Sequence, residues 1–119
     1  MFDEYAHRTS RFLQLNIKDD AISIIPILTS AAVLEEEKAM HHLAYTMGFH
    51  KKPEVLLLSA RDKEGKRIET IEVNLGTYQV AQSRGVYNSN TEHHDRILSL
   101  MAKEMNQIKQ LNQKPFKAA

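Results

Sequence analysis

The chain has 119 residues, 42% of them apolar and 26% charged, the mixture of a soluble globular protein with room for one core. It contains no cysteine, which excludes disulfide scaffolds, thiolate zinc sites, iron–sulfur clusters and cysteine nucleophiles. The formal net charge of +1 does not mark a nucleic-acid binder by itself. Residues 1–50 nevertheless hold four basic against seven acidic side chains, and residues 51–119 hold twelve against eight.

Asp3 and Glu4 stand where a secretory signal needs positive charge, and no apolar run follows them. Phe2, Tyr5 and Phe12 predict an anchored N-terminal stretch, which with His7, Arg8 and Arg11 reads as a short amphipathic helix. The longest apolar segment, residues 21–28, is interrupted by Ser23 and Pro26 and falls far short of the ~20 residues that span a bilayer. These features predict a cytoplasmic protein without membrane contact.

Asp19 and Asp20 are good N-cap residues for a helix through Ile22 and Ile25, which Pro26 would then kink. The pattern favours helix–kink–helix. The alternatives are a short helix followed by a long one, or a strand over residues 22–25 leading into a helix near Pro26. From Leu28 to Gly48 the sequence is rich in helix formers. Leu28, Ala32, Ala39, Leu43 and Met47 are spaced for one buried face, and residues 35–38 supply a charged one. Gly48 fits the position just past the helix, and Pro53 blocks continuation.

Residues 54–60 and 67–73 flank a polar, glycine-containing connection and predict a β-hairpin. The first run is continuously apolar at residues 55–58 and reads as the more buried strand. Residues 77–81 read either as a third strand ending at the Arg84-Gly85 turn or as a loop with a helical turn. A last helix begins near Thr91, where Ser89 and Glu92 have capping-box spacing. Leu98, Met101, Met105, Ile108 and Leu111 form its apolar stripe. Pro115 ends it, and the tail after about residue 112 is expected to fray. The fold predicted is one α+β domain over residues 1–119. It has N-terminal helices, an antiparallel hairpin or three-stranded sheet, and an amphipathic C-terminal helix packed on that sheet.

Three groups of residues carry candidate chemistry. Glu37 and His41 stand four apart on one helix and His94 opens another, so the three would meet at a divalent metal if those ends packed together. Adjacent histidines point about 100° apart on a helix, however, and the plainer reading puts His94 on the apolar stripe. Lys63, Lys66 and Arg67 on the hairpin, with Arg84 nearby, form a basic ribbon of the kind that follows a phosphate backbone. Tyr87 adds a ring for stacking, and Asp62, Glu64 and Glu69 dilute the field. Leu98, Met101, Met105 and Ile108 are either core or a surface for a partner helix or a second copy.

No glycine-rich phosphate loop, nucleophile elbow or other cofactor motif is present. The leading expectation is a small non-enzymatic interaction or regulatory module that binds another protein or itself, as a homodimer. A nucleic-acid-binding regulator comes second and a metal-dependent enzyme third.

Overall fold

A computed structural model describes residues 2–114. Its elements in chain order are α1 (Glu4–Thr9), β1 (Ile17–Lys18), β2 (Ser23–Pro26), α2 (Ser30–Met40), β3 (Val55–Arg61), β4 (Arg67–Asn74), β5 (Gln79–Arg84) and α3 (His94–Gln113). Short 3-10 turns lie at Ser10–Phe12, Phe49–Lys51 and Val86–Asn88. The five strands form one antiparallel sheet in the order β1-β2-β3-β4-β5. The fold is α+β, with N-terminal helices and a C-terminal helix on the sheet.

The favoured helix over residues 19–25 does not form. The Asp19 carboxylate accepts from the backbone N–H groups of Ala21 and Ile22, both at 2.8 Å, but the turn it stabilises joins β1 to β2. Ile22 and Ile24 are both buried, a spacing of two that belongs to a strand. Pro26 pairs with Leu58 of β3 beyond the end of the two-residue β1. The strand there has only one neighbour, so the missing N–H breaks no ladder. The strand alternative is the one observed.

Thr29 caps α2 by accepting from the Ala32 N–H at 3.0 Å. The helix stops at Met40, because His41 turns left-handed at φ 55°. Its buried line is Val33, Glu36 and Met40, while Leu43 and Met47 lie beyond it, exposed. Gly48 is left-handed, as a helix-terminating glycine would be, but it opens the turn at Phe49–Lys51 instead. The helix expected to run to Gly48 is therefore a helix of eleven residues and a folded loop.

The hairpin forms as expected. Leu56 pairs with Val73 and Leu58 with Ile71, and Gly65 takes φ 83° at the tip. The third strand also forms, shifted to Gln79–Arg84. Gly85 follows it at a close approach, where a Cβ would stand 2.4 Å from the Thr91 methyl and 3.1 Å from the Ile68 carbonyl oxygen. The Ser89–Glu92 capping box does not form, because α3 starts later, at His94 with His93 as its N-cap residue, and the Ser89 hydroxyl donates to the Val86 carbonyl at 2.8 Å. α3 extends through Gln113, and Pro115 with the tail lies outside the described residues.

The two faces of the sheet are covered differently. Leu56, Leu58, Ala60, Ile71 and Val73 pack against Phe12 and Leu15 and against Ile97, Leu100, Met101 and Ile108 of α3. On the opposite face Val55 and Leu57 meet Tyr5 of α1, Ile27, Val33 of α2 and Ala44. The smaller cover on that second face leaves part of β4 and β5 open. Among the described residues, no helix is long and apolar enough to cross a membrane.

Candidate binding cleft

Strand alternation sends Thr70 and Glu72 of β4, and Gln82 and Arg84 of β5, to the face opposite α3. Together with Leu57 of β3 they floor a cleft of about 400 Å³. Its walls are the loop residues His41, His42, Leu43, Ala44, Met47 and Phe49 on one side and Tyr87 and Asn88 on the other. In size and in its mainly apolar walls this matches ordinary ligand sites.

The wall of residues 41–49 is held by four devices. His41 reverses the chain in the left-handed conformation. The Glu37 carboxylate accepts from the Thr46 backbone N–H at 2.8 Å and from its hydroxyl at 3.1 Å. Backbone bonds from Met47 to Leu43 (2.7 Å) and from Phe49 to Ala44 (3.0 Å) close the loop on itself. The fourth device is a chain of side-chain hydrogen bonds that begins at Arg67, the first residue of β4.

That chain runs in one direction. Arg67 Nε donates to Glu36 Oε1 at 2.7 Å, and the Thr70 hydroxyl donates to Glu36 Oε2 at 2.5 Å. With its proton committed, Thr70 Oγ1 accepts from His42 Nε2 at 2.9 Å, and His42 Nδ1 in turn accepts the Ala44 N–H at 3.3 Å. This set of partners fixes the neutral imidazole with its proton on Nε2. Burial pushes the His42 pKa below its ordinary 6.5, against the pull of Glu36 and Glu37 toward the charged form. Glu36 is only 1% exposed and tolerates burial because both oxygens are bonded.

The opposite wall is set by unusual backbone. Tyr87 and Asn88 have φ of 55° and 63°, and Tyr87 is 74% exposed, with its ring stacked on His41 at 4.7 Å and 14°. A bulky residue held left-handed costs about 1–3 kcal/mol and persists where surrounding contacts impose it. On the floor, Gln82 Nε2 donates to Glu72 Oε1 at 3.1 Å. Arg84 donates to Asn90 Oδ1 at 2.6 Å and to its neighbour's carbonyl at 3.4 Å, and has no carboxylate partner among the described residues.

The residues singled out from sequence are dispersed by this arrangement. Met101 and Ile108 are fully buried and Met105 packs against the same cluster, with Leu98 half-buried, so the stripe faces the sheet. Lys63 and Lys66 are exposed at the hairpin tip, whose turn is tied by the Asp62 carboxylate to the Glu64 and Lys66 N–H groups. Arg67 is neutralised by Glu36, and only Arg84 enters the cleft. Glu37, His41 and His94 have separate partners: Thr46, Tyr87 and Glu69. Among the described residues, no group of three or more His, Asp or Glu is arranged to hold a metal ion.

The sequence reading missed Glu36, His42, Thr70, Glu72 and Gln82. For Glu36 a signal existed, since Val33, Glu36 and Met40 repeat at steps of three and four. Thr70 and Glu72 alternate on a predicted strand, which marks them as one face without saying what covers it.

A family model described as PcfJ-like protein matches residues 2–98. The chain belongs to this PcfJ-like family. The matched stretch contains every residue of the cleft and ends early in α3. The family's description names no activity and no ligand. No curated protein and no solved structure matches the chain.

Proposed function

We propose that the chain is a non-enzymatic interaction module that captures another protein in the cleft over β4 and β5. The observation behind this reading is the concentration of exposed apolar side chains at one opening: Leu43 is 59% exposed, Met47 64% and Tyr87 74%. Large apolar groups gathered at a cavity mark interaction surfaces, where scattered ones do not. The polar groups beneath them favour binding over catalysis. The Thr70 hydroxyl gives its proton to Glu36 and both nitrogens of His42 are engaged, so neither acts as a nucleophile or base toward the cleft.

The expected partner surface on α3 gives way in this reading to the opposite face, because the α3 stripe is occupied by core. Nucleic-acid contact has less support. Of its four cations, Arg67 is paired, Arg84 lies in the cleft, and Lys63 and Lys66 share the tip with Asp62 and Glu64.

A photocrosslinking amino acid at position 43 or 47 is expected to give a discrete protein adduct in cells, and the same probe at Lys103 on exposed α3 surface none. Adducts to nucleic acid from position 63, with none to protein from 43 or 47, would move the function to the hairpin tip.

A further inference from the structure

The floor of the cleft offers an incoming chain side chains and no backbone. β3 and β4 are inner strands with a neighbour on each side. At the β5 end of the floor the backbone turned away from β4 is that of Ser83, which is 1% exposed and whose carbonyl accepts from Arg84 Nη1 at 3.4 Å. What remains is the row of Leu57, Glu72 and Gln82 and, in the next row, Thr70 and Arg84. Thr70 is committed to Glu36 and His42, and the Gln82 amide donates to Glu72, the one carboxylate among the lining residues.

Arg84 is committed less completely. Arg67 and Arg96 each hold carboxylates, at Glu36 and at Asp19 and Asp20. Arg84 holds none, and both of its hydrogen bonds leave from Nη1, to Asn90 Oδ1 and to the Ser83 carbonyl. Its Nε and Nη2 groups have no partner among the described residues, and neither is sealed from solvent. Those two groups are the side of the guanidinium fork that takes a carboxylate by two parallel hydrogen bonds.

We infer that the partner enters the cleft as one face of an amphipathic α-helix, with a carboxylate for the Nε–Nη2 side of Arg84 and a large apolar anchor one turn away. This inference rests on the reading of the cleft as a protein-binding site and names the form of the partner. An extended segment finds no backbone row to pair with at this floor. A helix arrives with its own N–H and C=O groups bonded and presents side chains alone. The dimensions agree with one turn. A helical turn ~10 Å across and 5.4 Å long occupies roughly 420 Å³, and the cleft holds about 400 Å³. The row of Arg84 lies two residues along the strands from the row of Leu57, or about 7 Å. Residues four apart on a helix are separated by ~6 Å along its axis, so the acid and the anchor stand three or four residues apart. The apolar wall of Leu43, Met47 and Phe49 covers the anchor, and Tyr87 stands on the other side.

The test uses a phage-displayed library of random hexadecapeptides selected on the immobilised full chain. A synthetic copy of a selected peptide is then titrated by fluorescence anisotropy against wild type, Met47→Glu and Arg84→Glu. Selected peptides are expected to carry Asp or Glu three or four residues from an aromatic or large aliphatic side chain, and to gain helical circular dichroism on binding. Met47→Glu should weaken binding at least ~10-fold, as the loss of an anchor pocket does. Arg84→Glu should weaken it as well, and a peptide with Lys in place of the acid should restore binding to that variant alone. Proline between the acid and the anchor should abolish binding where alanine does not.

A selection that yields no peptide, or only peptides whose binding survives Met47→Glu undiminished, would overturn the cleft reading itself. Binding that Met47→Glu abolishes, without a gain of helix and with proline tolerated, would keep the cleft and overturn the helical partner. Helical binding that Arg84→Glu leaves unchanged would overturn the carboxylate contact. A concentration-dependent dimer that Met47→Glu disrupts would make a second copy the occupant and overturn the foreign helix.

Discussion

The two faces of the sheet each bury one carboxylate, and they use it to opposite ends. On the α3 face, Glu69 is fully buried and accepts from the Ser83 hydroxyl (2.7 Å), the Thr91 N–H (2.9 Å), the Thr91 hydroxyl (2.7 Å) and His94 Nδ1 (2.9 Å). Those bonds join β4 and β5 to the start of α3, which packs on the apolar core of that face. On the other face, Glu36 accepts from Arg67 and Thr70, and through Thr70 it holds His42. His42 is the root of a loop that packs on the sheet through Ala44 but leaves Leu43 and Met47 exposed at the cleft. One network closes a face and the other props a face open, although both obey the rule that a buried charge must be fully bonded.

The largest expected effect separates the faces by packing. Ile71→Ala removes a fully buried side chain from the α3 face and should cost about 3 kcal/mol, read from the urea midpoint at unchanged m-value. A loss under about 1 kcal/mol would mean that this face relaxes around a cavity and is not the rigid one.

The carboxylates themselves come next. Glu69→Gln should cost about 2 kcal/mol, because a single amide oxygen cannot accept from all four donors and its NH2 adds donors of its own at a fully buried position. Glu36→Gln should cost about half as much, since the Arg67 side chain is 29% exposed and water can take up its donor. Equal losses in the same urea experiment would erase the distinction between the two networks.

Acid should then undo the faces in order. Burial pushes His42 below its ordinary 6.5, so the unfolded chain binds the proton more readily and stability falls as pH drops below that value. Burial would raise Glu69, but the bonds from Ser83, Thr91 and His94 prevail and hold it below its ordinary 4.5. Its contribution is complete above 4.5 and is lost only as pH falls through the lowered value. The cleft wall is therefore expected to weaken first. His50, also held below 6.5 by burial, acts in the same upper window, so the difference between wild type and His42→Gln isolates the cleft. Thermal melts between pH 8 and 5 should show a shallower pH slope in the variant. An unchanged slope would show that His42 is not held neutral by its partners.

How much of this was legible in the sequence follows the range of the interactions. The β3–β4 hairpin was readable because turn chemistry and alternation are local, and α3 because its stripe is continuous. β1 and β2 were misread because Asp19 makes the same backbone hydrogen bonds at a strand turn as at a helix start. Pro26 looked like a kink because its tolerance in β2 depends on how short β1 is. The two carboxylate networks span 25 to 34 residues of sequence in their key bonds, Glu69–His94 and Glu36–Thr70. No local pattern encodes such a pairing, and the run of glutamates at 35–37 disguised the one that faces inward. The cleft was invisible for the same reason, since its floor comes from three strands and its walls from two loops.

The smallest expected effect is the most informative about the cleft. Leu43→Ser combined with Met47→Ser replaces two large apolar side chains on a wall whose position is set by Glu37, His42 and backbone bonds. Both side chains are mostly exposed, so stability should change by less than about 0.5 kcal/mol in the urea experiment. The apolar opening would be gone while the fold remained. A loss of several kcal/mol would mean instead that these side chains hold the loop to the sheet, and the open face would then be a core that is merely thin.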